Sequence, residues 1–120
     1  MKYAKVIALT HHEKWNGKGY PKGLAGLKIP LQGRIVALAD VFDALSMNRP
    51  YKKAWPIDKI TNLITEESGK HFDPHLVKIF MDSLPAILEI RQNMQMMSWN
   101  SFCYLIFLVL KHHDNQCLFV

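Results

Sequence analysis

Glycines at positions 17, 19, 23 and 26 and prolines at 21 and 30 interrupt the chain between two helix-like segments. No regular pattern runs through such a stretch, because Gly favours neither helix nor strand and Pro lacks the N–H that both require. Residues 14–31 therefore read as one long loop. A connection of that length inside a compact domain is either functional or disordered. Trp15 and Tyr20 supply aromatic side chains able to pack back onto the body, which favours an ordered loop.

The flanking segments carry helical periodicity. Residues 2–13 read as a helix, with Val6, Ile7, Leu9 and nearby alanines as its apolar face, ended by the glycine-rich loop. Residues 32–47 give the strongest helix: Ile35, Leu38, Ala39, Phe42 and Leu45 recur at helical spacing as a core stripe. Residues 57–67 turn Ile60, Leu63 and Ile64 inward, and Gly69 is the expected C-cap. Asp73-Pro74 is a strong start signal, with Asp as N-cap and Pro at the first helical position. Leu76, Ile79, Phe80 and Leu84 continue that face, and Pro85 is expected to kink or end the helix near Ser83-Leu84. The fold class is all-α, a bundle of four to five helices with a long Gly-rich loop, in one domain.

Three places carry chemistry. His11-His12 closes the first helix, and neutral imidazoles are common ligands for transition metals. Adjacent helical residues point about 100° apart. The pair thus suits two neighbouring ions, or one ligand and one orienting group, while on the dipeptide alone an ordinary buried or solvated pair is the favoured reading. Asp40 and Asp43 stand three residues apart within the apolar helix, where a carboxylate is costly to bury unless paired or metal-bound. A solvated edge position is the alternative for Asp40. Residues 48–56 form a basic, aromatic turn punctuated by Pro50 and Pro56. There Arg49 can grip a phosphate with parallel hydrogen bonds and Lys52 adds a point charge. Taken alone, such a cluster is also an ordinary solvated turn.

Composition removes several classes. An apolar share of 49% is ample for a packed core. The net charge of +5 suits a phosphate-bearing ligand or an acidic surface, but no polybasic run marks a nucleic-acid polymer as partner. Cys103 and Cys117 lack metal-type spacing, which fits free thiols in the cytoplasm. No cleavage site follows the first apolar run, and the apolar run from Phe102 to Leu110 is far short of the ~20 residues that span a membrane. From about residue 93 the helical period is lost and methionines precede that run. The division is a domain over 1–92 and a hydrophobic tail over 93–120 of unassigned role. The tail is able to cover exposed core surface, bind a partner or associate identical chains.

Several ordered motifs together resemble the HD-GYP family of metal-dependent phosphodiesterases. They are His11-His12-Glu13, Gly17-Lys18-Gly19-Tyr20-Pro21, Ile29-Pro30-Leu31, Arg34 to Asp40, Val41 to Leu45, Arg49-Pro50-Tyr51-Lys52, and Ser68 to Pro74. The family's naming His-Asp pair lies about half a domain earlier, with further His and Glu ligands. The residues ahead of His11 include no His, Asp or Glu, and the lone His113-Asp114 dipeptide sits in another context. The chain thus resembles the C-terminal half of such a domain without its metal-binding N-terminal half.

The resemblance implies a chemistry. Complete members hold two or three iron or manganese ions and hydrolyse cyclic di-GMP to pGpG or GMP. There the bound metal lowers the pKa of the attacking water and stabilises the attacking and leaving oxygens. By position, His11, His12 and Asp40 resemble metal ligands, and Glu13 a residue that orients an imidazole. Arg49 and Lys52 resemble substrate clamps, with Tyr20 and Asp43 beside the substrate and Gly17, Gly19 and Pro21 shaping the loop. The implied divalent-metal site is incomplete, so the chain alone is expected to be inactive. The implied partners are cyclic di-GMP or a related phosphodiester, a complementing His-Asp half, or a GGDEF-type domain docked on the loop. A non-catalytic module using that loop to bind a partner or nucleotide, a fragment without independent function, and a general nucleotide phosphohydrolase are the competing readings.

Overall fold

A computed structural model describes residues 2–48 and 50–93. Arg49, read above as a substrate clamp, and the apolar tail beyond residue 93 lie outside the described residues. The described part is all-α: α1 (Lys2–Thr10), α2 (Leu31–Ser46), α3 (Ile57–Glu66) and α4 (Pro74–Asn93), with a 3-10 turn at Gly26–Lys28. Among the described residues there are four α-helices and no strand beyond isolated bridges.

Prolines set three helix starts. Pro30 and Pro56 stand immediately ahead of α2 and α3 with φ of −54° and −57°. Pro74 is the first residue of α4, where the missing N–H removes no intrahelical bond. Asp73 caps α4 as the sequence predicts, its Oδ1 accepting the His75 N–H at 2.9 Å.

Three sequence-based boundaries move. The first helix closes at Thr10, so the two histidines lie just beyond it, although the His11 N–H still reaches the Ile7 carbonyl at 2.9 Å. Gly69 is not the cap of α3, which falls at Glu67. With φ of 81° Gly69 instead serves the following turn, donating its N–H to the Phe72 carbonyl at 2.8 Å. Pro85 does not end α4, which continues to Asn93. Its ring faces solvent, while Ser83 before it and Ile87 after it are buried, so packing on either side outweighs the lost hydrogen bond.

The core lies between α2, α3 and α4. Ile35, Leu38, Ala39 and Phe42 of α2 meet Ile60 and Ile64 of α3 and Leu76, Phe80 and Ile87 of α4, all of them buried. Phe42 and Phe80 meet edge to face at a centroid distance of 5.2 Å. The predicted stripe of α2 is therefore the core stripe, with Leu45 packed at its margin. Burial extends around α2 to Gly33, Ala37 and Asp43, and α1 packs on α2 as well. At Gly33 the two helices nearly touch: an added Cβ would lie 2.7 Å from the Thr10 Cβ. A buried ion pair ties α2 to α4, with Arg34 Nη1 donating to Asp73 Oδ2 at 2.7 Å and Arg34 Nε to the Ile29 carbonyl at 2.9 Å. No described helix is long and apolar enough to cross a membrane.

Candidate functional site

α1 delivers His11 and His12 to the mouth of the glycine loop. The His11 Nδ1 lies 2.7 Å from the Ile7 carbonyl. A carbonyl only accepts, so Nδ1 carries the proton and the Nε2 lone pair remains for another partner. The two imidazole centroids are 3.9 Å apart at 42°. His12 is exposed and its ring lies almost parallel to that of Tyr20, 4.9 Å away. The structure thus brings together His11, His12 and Tyr20.

Glu13, next along, is only 2% exposed. Its Oε1 accepts the Lys22 N–H at 2.7 Å and its Oε2 the Leu24 N–H at 2.9 Å. The orienting partner expected of an imidazole is thus a clamp on loop backbone. Gly19 is demanded by proximity, since a Cβ there would lie 2.5 Å from the His12 carbonyl oxygen and the Lys14 nitrogen. The Tyr20–Pro21 peptide is cis. On its far side the loop is fastened by Trp15 N–H to the His71 carbonyl (3.1 Å) and Asn16 N–H to the Lys70 carbonyl (2.9 Å). Order in this loop was expected, but its source differs. Trp15 is half-buried while Tyr20 is 61% exposed, so backbone bonds and the Glu13 carboxylate hold the loop more than aromatic packing does.

Asp40 is half-buried on α2 and Asp43 is fully buried. Among the described residues no group of three or more His, Cys, Asp or Glu side chains is placed to hold a metal ion. His11, His12 and Asp40, expected by position as metal ligands, thus do not form such a group by themselves among the described residues. The donor chemistry of the imidazoles suits a metal, but the described set does not fit a complete centre.

The basic turn after α2 gathers cations on one ring. Lys59 Nζ sits 4.0 Å and Lys52 Nζ 5.5 Å from the Trp55 centroid. The turn is held by Trp55 N–H to the Leu45 carbonyl at 2.8 Å and by Ala54 N–H to Asn48 Oδ1 at 2.8 Å. Trp55, Lys59 and Glu66 border a shallow groove along α3. His71 stacks on Phe72 at 4.3 Å, and burial, reinforced by the Lys14 charge and opposed by Glu67, holds its pKa below the ordinary value.

Sequence reasoning missed two linking residues, Arg34 and the clamp function of Glu13. A charge inside each apolar or glycine-bounded stretch was the only available signal.

An HD domain family model matches residues 1–76. Over 94 residues the chain is 46% identical to the 3'3'-cGAMP-specific phosphodiesterase 2 of Vibrio cholerae, a match covering 78% of this chain and 18% of that protein. A cyclic di-GMP phosphodiesterase of the same organism is 59% identical over 78 residues, covering 65% of this chain and 16% of the relative. A cyclic di-GMP phosphodiesterase of Thermotoga maritima is 49% identical over 84 residues, or 70% and 23% of the two chains. The chain spans about a fifth of the length of these curated relatives.

Proposed function

The chain belongs to the HD-domain family, and from that premise we propose that it is the Gly-Tyr-Pro-bearing part of an HD-GYP-type phosphohydrolase acting on a cyclic dinucleotide in the cytoplasm. The observation that carries the reading is the paired imidazole site, with His11 anchored through Nδ1 and His12 against Tyr20, within the matched residues. His11, His12 and Asp40 are donors to a divalent-metal centre, iron or manganese, that takes its remaining ligands from outside the described residues. Lys52, with Arg49 three residues before it, neutralises phosphoryl charge, as a cation held near a developing oxyanion does. Tyr20 borders the substrate, and Asp43 is read with it as a substrate residue. Residues 1–92 are the HD-GYP-like part, and 93–120 are a separate segment of unassigned role.

The test is turnover of cyclic di-GMP with added manganese or ferrous iron, by the chain alone and with a supplied His-Asp half. The expected outcome is no hydrolysis alone and metal-dependent hydrolysis with the complement. Turnover by the chain alone would refute the incomplete site. Absence of both metal binding and turnover in the reconstituted pair would refute the hydrolase reading. The exposure of Tyr20 (61%) and Leu27 (77%) on a lysine-rich loop favours a second reading, a module docking a GGDEF-type partner or a nucleotide without turnover. Calorimetry with cyclic di-GMP and with such a domain separates the two.

A further inference from the structure

We propose that Glu13 is the positioning residue of the imidazole pair: its buried carboxylate closes the glycine loop so that Tyr20 is laid against His12. The functional weight of this assignment rests on the reading of His12 as a site residue. Glu13 sits where α1 has just ended, and at 2% exposure its charge needs compensation. That compensation comes from the N–H groups of Lys22 and Leu24, nine and eleven residues further on. Bonds from backbone N–H to an ionised carboxylate are roughly twice as strong as neutral ones. Between the two ends of this clamp lie Gly19 and Tyr20.

The intervening backbone has little freedom once the clamp is closed. Gly19 rests directly on residues 12–14, with no room for a side chain. The Tyr20 N–H reaches the His12 carbonyl at 3.3 Å. The Tyr20 ring is 61% exposed, so burial does not hold it in place. Its position over His12, 4.9 Å away and 20° from parallel, follows from the backbone on either side. An exposed imidazole would otherwise sample its rotamers freely. Glu13 therefore acts on His12 through the loop and not by touching its ring.

The test uses the full chain and nuclear magnetic resonance without metal or nucleotide. In the wild type, the Lys22 and Leu24 amides should exchange with solvent slowly and at similar rates, and His12 and Tyr20 ring protons should show mutual contact. Glu13→Gln keeps the size but removes the charge and one acceptor. Its expected result is about tenfold or faster exchange at one or both amides and loss of the ring contact, with exchange in the middle of α2 unchanged. Glu13→Asp keeps the charge on a shorter arm and should restore part of both signals. Intact protection and ring contact in Glu13→Gln would overturn the proposal. If that variant fails to fold, unprotected Lys22 and Leu24 amides in the wild type would overturn it, and slow concerted exchange would support it. Because no arm involves catalysis, failure of the hydrolase reading would leave these signals in place, and loss of these signals would leave the turnover test open.

Discussion

Replacing Gly33 by alanine probes the contact on which the position of the histidines depends. Alanine in a helix interior is ordinarily favoured over glycine by about 0.5–1 kcal/mol, and by less in the first turn, where Gly33 stands as the third residue of α2. Here its Cβ would stand 2.7 Å from the Thr10 Cβ and 3.2 Å from the Thr10 carbonyl carbon, and would overlap the Thr10 hydroxyl. That hydroxyl donates to the Val6 carbonyl at 2.6 Å, and Thr10 is buried, so the side chain has nowhere to turn. Relief requires α1 to move off α2. Overpacking of this kind costs about 1–3 kcal/mol, so the net loss is on the order of 1–2 kcal/mol. For a domain of this size that corresponds to a fall in Tm of roughly 5–15 °C, read by circular dichroism at the helix band. Thr10→Ala removes the hydroxyl but keeps the Cβ, and should rescue Gly33→Ala only in part. Thr10→Gly removes both and should reduce the cost of Gly33→Ala to within about 0.5 kcal/mol. A Gly33→Ala protein with unchanged or higher Tm would refute the close crossing, and with it the placement of His11 and His12 at the end of α1.

Asp73→Ala should cost about 3–5 kcal/mol in urea denaturation, since it strands the Arg34 guanidinium, 14% exposed, and uncaps α4; Asp73→Asn, which keeps a cap oxygen, should cost less. His71 predicts a pH dependence of known sign. Its folded pKa lies below the ordinary value, so below about pH 6.5 the unfolded chain binds more protons than the folded one. Its contribution to stability is complete above that pH and is lost as pH falls towards the folded pKa; urea midpoints at pH 7.5 and 5.5 should converge between wild type and His71→Gln at the lower pH. Pro85→Ala should raise stability by about 1–2 kcal/mol in the same assay, by restoring a helical N–H at a solvent-facing position.

The agreement between sequence and structure is strongest where the controlling contacts are local. The stripe from Ile35 to Phe42 is legible because residues three and four apart share a helix face. Asp73-Pro74 is legible because a cap and a helix start involve neighbours in the chain. Pro85 misleads for the opposite reason: its local penalty is real, but burial of Ile87 and the core contacts of Leu84 and Leu88 carry the helix past it. Histidines 11 and 12 were identifiable as an imidazole pair, yet their 3.9 Å separation and the Tyr20 stack depend on how the loop folds back.

The amino-acid order alone thus settled the helical class, the place of the long loop, the face of α2 that forms the core and the residues able to bear donors. Tertiary structure decided that Glu13 clamps the loop, that Arg34 reaches Asp73 across 39 positions, and that the imidazole pair meets Tyr20. The division has a physical cause. Helical periodicity and capping express forces between residues within about one turn of each other, which composition and spacing display directly. Meetings between distant side chains depend on where two helices cross, and that is set by shape: here by a glycine small enough to admit Thr10.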